Sequence, residues 1–130
     1  MLYLDSSALV KLVISEPESA ALARWLAERA DLALVSSALH RSEVPRAIWR
    51  ADPSGLPRSL RQMRGVLKVN VTTAILDSSS VIPPQTLRSA DAIHLASALS
   101  IRRNLTAFVA YDKRLLAAAK EAGLPTASPA

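Results

Sequence analysis

Four acidic residues stand where carboxylates could work together: Asp5, Glu43, Asp91 and Asp112. Asp5 ends the short apolar run Leu2-Tyr3-Leu4, and Asp112 follows an apolar stretch at 105–110. Asp91 falls in the first turn of an amphipathic segment, and Glu43 lies further along another. Like charges gathered in one place repel unless something cancels them. Hard oxygen donors in a crevice suit Mg²⁺ or Mn²⁺, which keep several waters and accept phosphate oxygens. Such ions activate water and stabilise charge developing on a phosphodiester. The chemistry implied is metal-assisted phosphodiester hydrolysis. Each acid also has a plainer use. Asp5 and Asp112 are good helix N-caps, Asp91 suits the positive end of a helix, and Glu43 is an ordinary helical residue. Ser6 could cap the first helix instead and leave Asp5 free.

The elements that must position these acids follow from hydrophobic period and punctuation. Leu2-Tyr3-Leu4 reads as a strand, and ALVKLVI after Ser6-Ser7 as a first helix. Ser15 and Glu18 have capping-box spacing around Pro17, and a second helix runs to about Ala30 with Leu22, Trp25, Leu26 and Arg29 at helical spacing. A short buried strand is expected at 32–35, with Ser36-Ser37 capping a helix that carries Glu43, Ala47 and Ile48. The segment ADPSGLP is a turn. A helix at 58–67 puts Arg58, Arg61 and Arg64 on one side, a strand follows at 66–71, and a short helix at 72–79 stops before Pro83-Pro84. Ser89 caps a helix with Ile93, Ala96 and Leu99 at core spacing. The 105–110 strand leads to a last helix sharing Leu115, Leu116, Ala119 and Ala122, ended by Gly123 with Pro125 beyond. Residues 126–130 read as a loose tail. Strands alternating with helices predict a parallel α/β sheet covered on both faces, with ligands at the carboxyl edge of the strands.

Length and composition set the outer bounds. The chain has 130 residues, which fits one domain spanning 1–130. Half of the residues are apolar but only 4% are aromatic, so the core must be built from Leu, Ile, Val and Ala. There is no cysteine, which excludes disulfides and thiolate metal sites and suits a reducing cytoplasm, where the protein is expected. No signal peptide or membrane-spanning run is seen. A net charge of +5 draws the chain toward polyanions, nucleic acid included.

The residues flanking the acids are more specific than the acids themselves. LYLDSSALVKL surrounds Asp5, SEVPRA surrounds Glu43, RSADAIHLASAL surrounds Asp91, and FVAYDKRLLAAA with Gly123 surrounds Asp112. In this order and nearly over the full length, the chain resembles the PIN-domain ribonucleases, in particular the VapC-like toxins of type II toxin–antitoxin pairs. The resemblance implies a three-layer α/β/α sandwich around a short parallel sheet. It implies a Mg²⁺- or Mn²⁺-dependent endoribonuclease whose activated water attacks the phosphate in line, leaving a 5′-phosphate and a 3′-hydroxyl. Asp5, Glu43, Asp91 and Asp112 carry over as the catalytic and metal-binding acids. Ser6, directly after Asp5, would orient a carboxylate or a metal-bound water, with Ser7 a lesser candidate. Two positions depart from the pattern. Pro45 removes a backbone donor inside the Glu43 helix and predicts a kink there. Ala110 stands where many relatives have a hydroxyl residue.

Further residues are weighed against packing roles. Arg46, His94 and Arg114 are the candidate RNA contacts. Arg50, Lys11 and Lys113 are lesser ones. His94 lies one helical step from Asp91, and a packed, hydrogen-bonded role also fits it. His40 is expected to be peripheral. Trp25 and Trp49 could stack bases, but their spacing among Leu and Ile points to packing. The resemblance also implies a second copy of the chain in a homodimer, and a VapB-like antitoxin that blocks the crevice. An apolar surface with Leu9, Val13, Leu22 and Trp25 is the expected antitoxin contact. An inactive PIN-like domain that binds RNA or protein without cutting is the alternative reading.

Overall fold

A computed structural model describes residues 1–130. Five parallel strands form one sheet in the order β3-β2-β1-β4-β5. They are β1 (Leu2–Leu4), β2 (Leu34–Ser37), β3 (Leu67–Val69), β4 (Ala107–Val109) and β5 (Thr126–Ala127). Seven helices connect them: α1 (Ser6–Lys11), α2 (Ser19–Ala27), α3 (His40–Ala51), α4 (Leu56–Arg64), α5 (Thr73–Ser79), α6 (Ser89–Ser100) and α7 (Lys113–Glu121). The strand order runs outward from β1 in both directions. The crossovers therefore reverse between β1 and β4, and a crevice opens at the carboxyl ends of these two strands.

Strand alternation sorts the core into two layers. Leu2, Leu4, Ala107 and Val109 face one side with Leu9, Leu22, Val44 and Ile48 of α1, α2 and α3. Tyr3, Val35 and Phe108 face the other side with Leu95, Leu115 and Ala119 of α6 and α7. This is the α/β/α sandwich that the sequence predicts. Its core is aliphatic apart from Tyr3 and Phe108, whose rings stack with centroids 5.2 Å apart.

Several local expectations need correction. Ser15 and Glu18 form no capping box. Ser19 Oγ accepts the Glu16 N–H instead, and α2 begins at Ser19 without a side-chain cap. Ser36 and Ser37 do not cap α3. They are buried in β2, which lies two residues later than expected, and α3 begins at His40. Ser89 is the first residue of α6 rather than its cap. The tail is not loose: Thr126–Ala127 pairs with β4 as an edge strand, and Tyr111 donates its hydroxyl proton to Pro129 O (2.8 Å). Gly123 turns the chain into that strand at φ 89°, a left-handed conformation that a Cβ would disfavour. Thr72, by contrast, caps α5 through Ile75 N–H, and α3 runs unbroken through Pro45.

Candidate active site

Asp5 continues the β1 ladder, donating its N–H to Val109 O, and then caps α1 itself. Its Oδ1 accepts from Ala8 N (2.9 Å) and from Ser7 Oγ (2.7 Å). Of the two caps the sequence allows, Asp5 rather than Ser6 is the one used. Ser6 is already helical, and its hydroxyl turns to Glu43, donating to Oε1 at 2.8 Å. Ser7, the lesser candidate, is the serine that holds Asp5. Asp5 is almost fully buried. Burial drives its carboxyl above the usual range, the Ala8 and Ser7 hydrogen bonds pull it back, and the Asp91 charge raises it further.

Glu43 reaches the same region from α3. His94 Nε2 lies 2.7 Å from Glu43 Oε1, and 3.2 Å from Ser6 Oγ. The other ring nitrogen, Nδ1, lies 2.8 Å from the Tyr3 hydroxyl, which accepts the Ser37 N–H at 3.0 Å. A carboxylate only accepts, so Nε2 must carry a proton. Tyr3 can then donate to Nδ1, and every member of the chain Ser37–Tyr3–His94–Glu43 is satisfied. Burial pushes the Glu43 carboxyl up, but the His94 and Ser6 hydrogen bonds prevail and leave it below its ordinary value. His94 is only 2% exposed with both nitrogens engaged. It positions Glu43 rather than contacting a substrate, as the RNA-contact expectation would have it. Tyr3 had no signal in the sequence beyond an inward strand position.

Asp91 and Asp112 share a cavity of about 380 Å³ with Thr86, Leu87, Arg88, Lys113 and Arg114. Asp112 caps α7, its Oδ1 accepting from Leu115 N at 3.0 Å. Asp91 has no hydrogen-bonded or ion-paired side-chain partner. Its carboxyl is raised, first by burial, then by the charges of Asp112 and Glu43, against the opposing pull of His94 and Arg88. Asp91 is thus coupled by charge to each of the other three acids. They do not close into a cage, because no three His, Cys, Asp or Glu side chains lie together at a spacing that could hold a metal ion. Three cations, Arg88, Lys113 and Arg114, line the same cavity, and Arg88 is not among the RNA contacts expected from the sequence.

Other expectations resolve one by one. Arg46 lies exposed on α3, outside that cavity. Lys11 is no free cation: it pairs with Glu18 (2.8 Å) and Glu16 (3.5 Å) and sits over the Tyr111 ring. His40 is buried rather than peripheral, with Nδ1 2.7 Å from Ser37 O and Nε2 without a partner. Trp25 is covered by the Arg29 guanidinium, 4.0 Å from the ring centroid, whereas Trp49 stands in solvent rather than in the core. Leu9 and Leu22 are sealed in the core and cannot form a docking surface. Val13 does line a shallow groove between α1 and α2 with Leu12 and Ile14. A larger apolar cavity of about 840 Å³, bounded by Ile82, Leu87, Leu99 and Ala118, adjoins the acidic one and shares Thr86, Leu87 and Arg114 with it. No helix is long and apolar enough to cross a membrane.

The family model for the PIN domain matches residues 2–121. The chain is 43% identical over 132 residues to ribonuclease VapC47 of Mycobacterium tuberculosis, covering 99% of this chain and 97% of that one. It is 41% identical over 131 residues to ribonuclease VapC35 of the same organism, with 99% and 97% covered. Among solved structures it is similar to the crystal structure of Mycobacterium tuberculosis VapC20, a toxin that cleaves the sarcin–ricin loop. The TM-score is 0.77 over 99% of this chain and 100% of that one, at 14% identity. A likeness at that identity is one of fold.

Proposed function

The chain belongs to the PIN-domain family, and from that premise we propose that it is a metal-dependent endoribonuclease, the toxin of a toxin–antitoxin pair. The observation that carries this reading is the cavity where Asp91 and Asp112 sit with Arg88, Lys113 and Arg114, with the charges of Asp5 and Glu43 felt at Asp91. The ribonuclease names of its close relatives support it.

The donor set fits Mg²⁺ or Mn²⁺ in kind. Asp5 and Asp112 each use Oδ1 for a helix cap and keep Oδ2 free of such bonds, and Asp91 keeps both oxygens. The carboxyls of Asp5 and Asp91 are raised first by burial and then by the neighbouring acids, and a bound cation would offset both effects. No three of the acids are close enough to hold an ion by themselves, so an ion here would have to keep most of its ligands as water. Asp5, Asp91 and Asp112 would hold the ion, with Glu43 beside them. When bound, the ion would supply water activation and charge neutralisation at the phosphate.

The chain's own side chains do the remainder. His94 and Ser6 fix Glu43 Oε1 and keep the carboxylate ionised, which leaves Oε2 to orient or deprotonate a water. Arg88, Lys113 and Arg114 would receive the phosphates on either side of the scissile bond. An antitoxin segment would fill the apolar cavity bounded by Ile82, Leu87 and Leu99 and carry a basic side chain into the acids next to it. A second copy of the chain and a cytoplasmic setting belong to the same proposal.

Incubation of the purified chain with total RNA tests the reading, with Mg²⁺ or Mn²⁺, with chelator, and with Asp5→Asn or Asp91→Asn. Cleavage is expected only with metal and the native acids. Equal cleavage in every condition would refute the metal mechanism. The open spacing of the acids is the feature that favours the alternative, a PIN-fold domain that binds RNA without cutting, and binding without cleavage in every condition would establish it.

A further inference from the structure

Trp49 is the one aromatic side chain that the fold leaves largely in solvent, 60% exposed on α3. Its neighbours are cationic. Arg46 lies three residues after Glu43, and Trp49 and Arg50 lie three and four residues after Arg46, on the side away from buried Val44 and Ile48. Arg46 and Arg50 are exposed and take part in no ion pair. Between His40 and Arg64 the sequence holds six arginines against two carboxylates, so most of the net charge of +5 resides in the α3–α4 hairpin. The end of this face nearest the crevice is Glu43 itself.

We infer that the exposed face of α3 is an entry track for single-stranded RNA, with Trp49 stacking an unpaired base and Arg46 and Arg50 holding the phosphates beside it. This rests on the endoribonuclease reading for its direction, since the track leads to Glu43. An indole free of any cation and flanked by unpaired guanidinium groups matches a stacking platform on a charged backbone groove. Trp25 makes the contrast: its face is already taken by Arg29. A duplex would not serve as occupant, because its bases are stacked on each other.

Titration with poly(U) tests the track, using full-length chain carrying Asp91→Asn to prevent turnover. Tryptophan fluorescence should be quenched on binding. Adding Trp49→Leu should remove that quench and weaken binding about tenfold, while Trp49→Phe should retain most of the affinity. Arg46→Gln with Arg50→Gln should lower the salt dependence of log K by about 1.4, the share of two phosphates on a single strand. Unchanged affinity in Trp49→Leu, or equal quenching by double-stranded poly(A)·poly(U), would overturn the inference. So would a self-association surface, seen as a sedimentation change in Trp49→Leu with poly(U) affinity intact. Quenching through Trp49 in a wild-type chain that cleaves no RNA would sink the nuclease reading and leave the track standing.

Discussion

Replacing Tyr3 by Phe isolates one hydroxyl at the base of the site. The ring is fully buried and stacks on Phe108 at 5.2 Å, so Phe keeps the packing and removes only the oxygen. Two buried partners are stranded: the Ser37 N–H, which donated at 3.0 Å, and His94 Nδ1, 2.8 Å away. Leaving a buried polar group unsatisfied costs roughly 1–3 kcal/mol, so the pair should cost about 2–6 kcal/mol. Against a typical total of about 5–15 kcal/mol this is a large fraction. Urea denaturation of the two chains would measure it as a lower midpoint at unchanged slope. The same change frees the His94 ring, so Glu43 loses its fixed partner and RNA cleavage should fall by about ten- to a hundredfold. A stability change under about 0.5 kcal/mol would refute the reasoning, because it would mean that the Ser37–Tyr3–His94 chain is not satisfied as its distances indicate.

Two further predictions concern charge. Asp91→Asn should abolish cleavage yet raise the thermal midpoint at neutral pH, because the Asp91 carboxyl is held above its ordinary value by burial and by Asp112 and Glu43. A raised carboxyl makes ionisation unfavourable to the fold, so the advantage of Asn should shrink as pH falls below the raised pKa and vanish below about 4, the unperturbed Asp value. An Asn variant less stable than wild type at pH 7 would contradict this. His40 gives the opposite dependence: burial holds its imidazole below the ordinary value, with the Ser37 carbonyl opposing and the Arg41 charge adding to the depression. Its unfolded form takes up a proton first, so stability should be full above about pH 6.5 and fall as pH drops below it. His40→Asn should flatten that part of the pH profile in thermal scans, and an unchanged profile would remove His40 as the cause.

The architecture was legible because strand and helix periods are strong over most of this chain. Asp5 and Asp112 could be placed at strand ends because Leu2-Tyr3-Leu4 and the apolar run before Asp112 each stop at an acid. The failures have physical reasons. Ser36 and Ser37 look like caps by type, but β2 extends through them and buries both, so tertiary pairing overrode local preference. β5 is two residues long, too short for any alternation to register, and exists because β4 needs an edge partner. Spacing among apolar residues points Trp49 to core or interface packing, and of these the structure excludes the core. The buried stripe of α3 runs through Val44 and Ile48, however, and position 49 falls beyond it. The Tyr3–His94 contact joins residues 91 positions apart, between β1 and α6, and no local pattern announces such a pair.

The plain and the chemical uses of these acids are not alternatives. Asp5 and Asp112 each spend one oxygen on a backbone cap, and Glu43 spends one on Ser6 and His94. That anchoring holds carboxylates by neighbouring backbone N–H groups and side chains. It does not neutralise them: Asp5 and Asp91 still sit above their ordinary range, and Asp91 has no partner at all. Arg88, Lys113 and Arg114 line the cavity that holds Asp91 and Asp112 without forming ion pairs with them. A site that is structurally complete but electrostatically unfinished is suited to a mobile cation and a phosphate arriving together, each compensating the charge that the other brings. It also gives an inhibitory partner its simplest route, a single basic side chain placed among acids that the fold leaves unpaired.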